Sequence, residues 1–302
     1  MNKRLIFKNG KKEIVERKNF KDLLKEKKII RLIGAHNALT AFLAEEAGFE
    51  GVWLSSFELH ASARFPDADI LTTSDYSNII NKMEDRIVIP LMVDGDAGGG
   101  SVINTIRMVR EYEKNGAVGL CIEDNKYPKR CSFYSKTKDK LENPKFHASK
   151  IKAACDNRIN KDFLIVARLE SFIVGNGLND AIERANLYVE AGADCILVHN
   201  KETTPDLIFE FSQVFKKDVP LICVPTTYNT VHEKELYDNG YRIIIYANYG
   251  IRSIVKSLQE TLKLIADSHS LSSANDRVVP MSEIFRIVAV EELYKNEKKY
   301  ME

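Results

Sequence analysis

Four carboxylates are spaced along the sequence so that they could surround a single cation. Asp94 and Asp96 alternate at the end of the apolar run IPLMVDGD, so both side chains are predicted to point to one face of a strand. Asp67 lies in the segment before this run, and Glu123 lies near the end of the next one, GLCIED. Oxygen ligands without paired His or Cys favour Mg²⁺, or alternatively Mn²⁺, over zinc. The sequence therefore predicts a magnesium site with these four side chains as its ligands.

Basic side chains that could bind an anionic substrate come from other parts of the chain. Arg168 and His199 each lie at the end of an apolar run, and Lys129 and Arg130 lie in the loop after Glu123. We expect all four to stand opposite the acids. A metal on one side and a guanidinium on the other suit a small molecule with two or three negative charges. A 2-oxo acid is the predicted substrate class, because a chelated metal stabilises the enolate formed when a bond to C3 breaks.

Cys131 is a single thiol in the middle of a cationic loop. Its neighbours Lys129 and Arg130 are expected to lower the pKa of the thiol and keep thiolate available, which suits acid/base catalysis. The alternative is that Cys131 is a small, semi-polar residue that lines the site and moves no proton.

Eight short apolar runs are predicted to position these side chains. The runs are rich in Ile, Val and Leu and alternate with segments whose apolar residues have helical spacing. This order predicts an α/β fold, a (β/α)8 TIM-type barrel, in which the carboxyl ends of all strands meet on one rim. A doubly wound sheet is the alternative, but the usual glycine fingerprint after the first strand is absent. Most runs stay apolar until their last positions, where they end in His36, Ser55, Ser56, Asp94, Asp96, Glu123, Asp124, Arg168, Glu170, His199, Thr226 and Asn248.

Composition and charge exclude several classes of protein. The net charge of +1 argues against a dedicated nucleic-acid binder. No apolar run approaches the ~20 residues that a membrane span needs, and the N-terminus is too charged for a signal peptide. The five cysteines are scattered, without metal-site or disulfide spacing, so we expect a cytoplasmic protein.

The pattern along the chain also predicts its domains. Asn9-Gly10 separates two alternating segments, so residues 1–20 are predicted to form an N-terminal arm or hairpin. Residues 21–302 are predicted to form a single barrel domain, with a gating loop at about 125–145. The stretch SKTKDKLENPKF in that loop is lysine-rich and lacks apolar periodicity, which indicates mobility.

Several stretches in combination resemble the phosphoenolpyruvate mutase/isocitrate lyase superfamily, and in particular its branch of phosphonopyruvate hydrolases and phosphoenolpyruvate mutases. The resemblance extends over almost the whole chain from about residue 20. The stretches that carry it are AHNALTAFLAEEAGFEGVWLSS, VDGDAGGG, IEDNKYPK, VARLESFIVGNGLNDAIERANLYVEAGADCILVHNK, VPTTY, YANYGIRS and EIFR.

The resemblance implies roles for the residues already singled out. Asp94 would bind Mg²⁺ directly, and the other three acids would support it through water. Arg168 and His199 would contact the oxo acid and its phosphoryl group, and Lys129 would lie on a mobile loop that closes over the substrate. The carboxylate end of the substrate would be held by Ser55, Ser56 and Phe57. The family's barrels usually exchange the eighth helix with a neighbour, which implies a homodimer or homotetramer and a role for the C-terminal segment MSEIFRIVAVEELYKNEKKY.

The gating loop departs from the family's patterns and leaves three reactions open. Mutases carry E-D-K-x5-N, whereas this chain has Asn125 at the lysine and Cys131 at the asparagine. The segment FELHASARFPDADIL is similar to the hydrolase pattern, although hydrolases have threonine at the Cys131 position. The lyases have K-[KR]-C-G-H, and here Gly-His is missing after Cys131. Mg²⁺-dependent hydrolysis of phosphonopyruvate is favoured, with the mutase reaction and a methylisocitrate lyase-like C–C cleavage using Cys131 as acid/base as alternatives.

Overall fold

The computed structural model describes residues 3–8, 11–16, 18–134 and 141–301. Its contacts divide the chain into two compact units. One unit is Lys18–Ile251, and the other is formed by Met1–Arg17 and Arg252–Glu302. The predicted division into an arm and a barrel domain that extends to residue 302 stays a prediction.

The N-terminal segment contains two antiparallel strands. Strand β1 is Lys3–Lys8 and strand β2 is Lys11–Glu16, and Lys8 pairs with Lys11 at the end of the ladder. The predicted turn at Asn9-Gly10 falls on residues outside the described ones.

All eight apolar runs form strands of one closed parallel barrel, so the predicted (β/α)8 fold is confirmed. The strands follow one another around the barrel in chain order, and the last pairs with the first. They are β3 (Ile30–Ala35), β4 (Gly51–Leu54), β5 (Leu91–Asp94), β6 (Gly119–Glu123), β7 (Leu164–Leu169), β8 (Cys195–Val198), β9 (Leu221–Cys223) and β10 (Tyr241–Tyr246).

Helices follow the strands as the apolar spacing predicted. Short 3₁₀ turns occur at Gly98–Gly100 and Leu271–Arg277. The helices are α1 (Phe20–Glu26), α2 (Ala38–Glu46), α3 (Ser56–Ser62), α4 (Thr73–Glu84), α5 (Val102–Lys114), α6 (Pro144–Asn157), α7 (Ser171–Val174), α8 (Gly177–Glu190), α9 (Asp206–Val214), α10 (Glu233–Asp238), α11 (Tyr249–Ser268), α12 (Met281–Ile287) and α13 (Val290–Met301).

Strand alternation separates two buried apolar layers in the barrel unit. One layer joins strand residues such as Val52 and Ile165 to helix residues, so it lies between the barrel and its helices. The other contains the alternate strand residues and fills the barrel interior, where Phe20 of α1 also packs. A Cβ on Gly51, the first residue of β4, would lie 3.1 Å from the Phe20 ring. Helix α1 therefore closes the end of the barrel opposite the strand carboxyl termini.

The C-terminal segment is divided into two helices. The segment MSEIFRIVAVEELYKNEKKY does not form one continuous helix, because α12 and α13 are separated at Ala289, whose φ of 56° lies in the left-handed region. The predicted exchange of a helix with a neighbouring subunit stays a prediction. Within the described part of the chain, no helix combines the length and apolar character that crossing a bilayer requires.

Candidate active site

Polar side chains from four neighbouring strands gather at one rim of the barrel. Asp94 is the last residue of β5, and Glu123 is the last residue of β6. Arg168 in β7 is in register with Glu123, and His199 directly follows β8. All four side chains are buried. Their convergence follows from the parallel barrel, which brings the carboxyl ends of its strands to the same rim.

Asp96 also lies at this rim, but it is in the turn after β5 and not in the strand as predicted. Strand β5 ends at Asp94, and Asp96 lies beyond it with a φ of 49°. A left-handed backbone is unfavourable for a non-glycine residue, and such conformations concentrate at functional sites. The prediction that Asp94 and Asp96 alternate along one strand is therefore wrong, although both lie in the site.

Asp67 and Asp96 form one pair of acids, which shares the ammonium group of Lys129. Lys129 Nζ lies 3.0 Å from Asp67 Oδ2 and 2.8 Å from Asp96 Oδ1. The Ser56 hydroxyl donates to Asp67 at 3.0 Å, and the Tyr76 hydroxyl donates to Asp96 at 3.0 Å. Lys129 is thus on the side of the acids, and the expectation that it stands opposite them is wrong.

Asp94 and Glu123 form a second pair, which faces Arg168. The guanidinium Nη1 is 3.8 Å from Asp94 Oδ2, and Nη2 is 3.4 Å from Glu123 Oε2. The Asn125 side chain donates to Glu123 Oε1 at 2.8 Å. These distances describe ion pairs, so Arg168 balances part of the negative charge without fixing either carboxylate by a hydrogen bond.

Glu170 was predicted to lie at the rim but was given no role, and it contacts two residues that were given one. Its carboxylate accepts from Arg168 Nε at 2.6 Å and lies 2.7 Å from His199 Nδ1. The Ser132 hydroxyl donates to its other oxygen at 2.8 Å and lies 3.3 Å from Arg168 Nη2. The position of Glu170, two residues after Arg168 at a strand end, is the signal that could have identified it.

Glu170 is ionised and His199 is neutral, although both side chains are buried. Burial acts against ionisation of Glu170, but the charge of Arg168 and side-chain hydrogen bonds outweigh it and lower the pKa of Glu170. Burial lowers the pKa of His199, so the ring is neutral near pH 7. His199 Nδ1 lies 2.7 Å from the Glu170 carboxylate and 2.9 Å from Arg168 Nη2, so this nitrogen contacts both an acceptor and a donor.

Burial also raises the pKa values of the carboxyl groups nearest the rim. It raises the pKa of Glu123 to about 8, although the charge of Arg168 opposes this shift. Burial and the charge of Asp96 together raise the pKa of Asp94 to about 6. At Asp96, burial is outweighed by the charge of Lys129 and by hydrogen bonds, and the pKa is lowered. Burial thus opposes ionisation of Glu123 and Asp94, which a bound cation would favour.

The acids fit a hard divalent cation, which would be held in part through water. Asp96 Oδ1 and Glu123 Oε2 are buried oxygens without a hydrogen-bond partner among the described residues. Asp96 Oδ1 does contact Lys129, but as an ion pair. Among the same residues, no three His, Cys, Asp or Glu side chains are placed to coordinate one ion together. This arrangement is compatible with one direct carboxylate ligand and several water-mediated ones.

Cys131 is buried, and its thiol is neutral. The side chain is 6% exposed. Burial is the largest influence on the thiol and raises its pKa, whereas Lys129 acts in the opposite direction without reversing the shift. Arg130 is exposed to solvent. The expectation that neighbouring cations keep a thiolate available is therefore wrong.

The residues predicted to hold the substrate carboxylate lie at the start of α3. Ser55 is the N-cap, and its hydroxyl accepts from the Glu58 N–H at 3.3 Å. Ser56 donates to Asp67, and Phe57 is partly buried. In this structure the two hydroxyls thus cap a helix and support an acid, and their predicted contact with substrate stays a prediction.

Comparison with known proteins identifies relatives along nearly the whole chain. Residues 20–266 match the family described as phosphoenolpyruvate phosphomutase. The chain is 36% identical to phosphoenolpyruvate phosphomutase of Tetrahymena pyriformis over 93% of its own length and 94% of that protein. It is 34% identical to phosphonopyruvate hydrolase of Variovorax sp. over 91% of its length and 95% of that protein.

A solved structure is similar over nearly the whole chain. It is a phosphonopyruvate hydrolase in complex with oxalate and Mg²⁺, which is 33% identical with a TM-score of 0.88 over 94% of this chain and 98% of that one. These matches confirm the family that the sequence motifs indicated, and both kinds of relative are enzymes. The chain is therefore an enzyme that belongs to the phosphoenolpyruvate phosphomutase family.

Proposed function

We propose that the chain hydrolyses the C–P bond of phosphonopyruvate to pyruvate and phosphate in a reaction that depends on Mg²⁺. The observation that carries the proposal is the buried neutral thiol of Cys131 at the position where mutases have an asparagine. A thiol is a weak hydrogen-bond donor, whereas an asparagine amide has two N–H groups. Cys131 would therefore give little help in retaining a transferring phosphoryl group, and its transfer to water is favoured.

The acids would hold the cation, whereas Arg168 would bind the substrate. Asp94 would bind Mg²⁺ directly, and Asp67, Asp96 and Glu123 would support it through water. Bound Mg²⁺, or Mn²⁺ in its place, would stabilise negative charge on the leaving enolate. Arg168, oriented by Glu170, would bind the substrate anion and counter the charge that develops during transfer.

The remaining residues would bind the substrate and enclose it. Water attacks phosphorus, the C–P bond breaks, and its electron pair becomes that of the pyruvate enolate, which then takes a proton at C3. The neutral His199 would contact the phosphoryl group, and Lys129 would place a positive charge beside the acids as the loop closes. The backbone and hydroxyl groups of Ser55, Ser56 and Phe57 would hold the substrate carboxylate.

Two other reactions of the family each have an observation in their favour. Lys129 and Cys131 are both buried, and a covered site would suit a mutase, which must keep water from the phosphoryl group that it returns. The neutral Cys131 thiol could donate a proton to an enolate, as C–C cleavage of a 2-hydroxy diacid requires.

Product analysis separates these reactions. The protein is incubated with Mg²⁺ and phosphonopyruvate, and the ³¹P signals are followed. We expect inorganic phosphate to accumulate. Phosphoenolpyruvate as the product would instead identify a mutase, and an unchanged phosphonopyruvate signal would direct attention to the 2-hydroxy diacids.

We further propose that the enzyme acts in the cytoplasm as a homodimer or homotetramer. All five cysteines are free thiols, as expected in a reducing compartment. The C-terminal helices expose large apolar side chains, including Met281, Phe285 and Tyr294, which are half or more exposed. Light scattering from the purified protein would test the assembly, and a monomeric mass would contradict it.

A further inference from the structure

Residues 127–134, here called the lid segment, are hydrogen-bonded to a facing loop at residues 64–71. The N–H of Cys131 donates to the carbonyl of Asp67 at 3.1 Å. The N–H of Asp67 in turn donates to the hydroxyl of Tyr134 at 3.3 Å. These two bonds use a residue that is itself part of the acid cluster, so they connect the lid segment directly to the site.

A third hydrogen bond is accepted by Asp69, a residue that has no role in the proposed reaction. The N–H of Lys129 donates to the carboxylate of Asp69. The side chain of the same lysine lies between Asp67 and Asp96. One residue of the lid segment is thus held by its backbone on Asp69 and by its ammonium group on the acids.

The backbone conformation of Asp69 and the packing around it are consistent with this contact. Its φ of 55° is a left-handed conformation, which glycine, asparagine and aspartate adopt more readily than other residues. Asp69 lines a cavity of about 380 Å³ together with Tyr127 of the lid segment. A Cβ on Gly100 would lie 2.6 Å from the Tyr127 ring, so the ring packs on the glycine backbone. The lid segment therefore docks on both sides of this cavity.

We propose that Asp69 is a positioning residue that holds the lid segment closed by accepting the Lys129 N–H. Lys129 is 4% exposed, so without this acceptor its backbone amide would be left buried and unpaired. Through that bond Asp69 places the Lys129 ammonium group among the acids and keeps Cys131 away from solvent. The catalytic consequence rests on the proposed function, whereas the docking itself does not.

The docking can be measured without substrate, by the rate at which a thiol reagent labels Cys131. Asp69→Gly removes the acceptor and suits the left-handed backbone, whereas Asp69→Asn keeps an acceptor oxygen and tolerates the same backbone. Labelling is followed by peptide mass spectrometry, with Cys121 of the barrel interior as an internal reference. Asp238→Ala, which removes an exposed acid elsewhere, is the matched control.

We expect Asp69→Gly to raise the labelling rate of Cys131 relative to Cys121 by about tenfold, the effect of losing one typical hydrogen bond. Asp69→Asn and the control should label close to the wild-type rate. In the assay for phosphate release, kcat/KM should fall in Asp69→Gly and be largely restored in Asp69→Asn.

Three results would overturn the proposal: an unchanged Cys131 rate in Asp69→Gly, an Asp69→Asn rate as high as that of Asp69→Gly, or equal increases at Cys131 and Cys121. A failure of the proposed function is distinguishable from these, because it would leave the labelling pattern intact and affect only the phosphate assay.

Discussion

Arg168 is held in a fixed orientation by a neighbouring acid, Glu170, rather than by Asp94 or Glu123. Its Nε donates to Glu170 at 2.6 Å, whereas its contacts with Asp94 and Glu123 are 3.4 Å or longer. A guanidinium that is oriented before substrate arrives needs no reorganisation during the reaction. Glu170 is therefore expected to matter for turnover although it touches neither metal nor substrate in the proposed roles.

Replacement of Glu170 by glutamine tests this positioning. The variant keeps the shape of the side chain but loses the charge that pairs with Arg168 and orients His199. We expect kcat/KM for phosphate release to fall by about 10- to 100-fold, the usual cost of losing a supporting partner. Glu190→Gln, at an exposed ion pair, is the control. Wild-type kinetics in Glu170→Gln would show that Arg168 is oriented by other groups.

The Cys131 position is expected to affect the distribution of products. Cys131→Asn restores the asparagine of the mutase motif and should divert part of the ³¹P signal from phosphate to phosphoenolpyruvate. Cys131→Ser keeps a small polar group and should retain hydrolysis if the thiol only lines the site. Complete loss of activity in Cys131→Ser would instead support proton transfer by the thiol.

A buried histidine outside the site should make stability depend on pH. His147 in α6 is fully buried, and neither ring nitrogen has a hydrogen-bond partner among the described residues. Burial, together with the charges of Lys150 and Arg184, lowers its pKa well below the usual value. The unfolded chain therefore binds a proton below about pH 6.5 that the folded chain does not, and stability falls as pH decreases through that value.

The variant His147→Phe should remove this pH dependence. Phenylalanine keeps an aromatic ring against Tyr188, whose ring centre lies 4.7 Å from that of His147. From pH 6.5 downwards, the wild type should lose up to about 1.4 kcal/mol of unfolding free energy per pH unit more than the variant. Urea midpoints between pH 7.5 and 5 measure the difference. Parallel curves for the two proteins would contradict a neutral buried His147.

At the scale of elements, the seam between the first and last barrel strands depends on a glycine. A Cβ on Gly34 of β3 would lie 2.0 Å from Glu58 Oε1. That oxygen accepts from the Asn248 N–H at 3.0 Å, and the other oxygen lies 3.3 Å from His36 Nδ1. The carboxylate is fully buried and held from two sides, so it has little freedom to move away.

Gly34→Ala is therefore expected to destabilise the barrel. Overpacking of this kind costs about 1–3 kcal/mol of unfolding free energy, which a urea or thermal unfolding curve would measure. Gly119→Ala in β6 is the matched control, because its Cβ would lie 3.3 Å from the flexible end of Met92. An equal loss of unfolding free energy in both variants would show that the contact with Glu58 does not cause the destabilisation.

The elements could be predicted from the sequence more fully than the site could. Each apolar run became a strand because β-branched and aliphatic residues buried on both faces are typical of parallel strands. The position of Lys129 could not be predicted, because a loop has no periodicity and the side of the site on which its ammonium group lies depends on contacts with distant residues. Asp96 was assigned to a strand because a left-handed turn after Asp94 leaves no mark in the apolar pattern.

At the scale of the whole molecule, the barrel concentrates negative charge at one rim in a chain whose net charge is only +1. Five buried carboxylates, at Asp67, Asp94, Asp96, Glu123 and Glu170, share the two cations Lys129 and Arg168. Buried charge of one sign is costly unless it is paired. The parallel topology thus creates a site that a divalent cation would stabilise.

The most direct test of this account is the dependence of turnover on a divalent cation. Phosphate release from phosphonopyruvate is measured with Mg²⁺, after removal of metal by a chelator, and after Mg²⁺ is added back. We expect the chelator to abolish release, Mg²⁺ to restore it, and Asp94→Asn not to be rescued at the same Mg²⁺ concentration. Undiminished phosphate release in excess chelator would contradict the central claim that the clustered acids hold a cation facing Arg168.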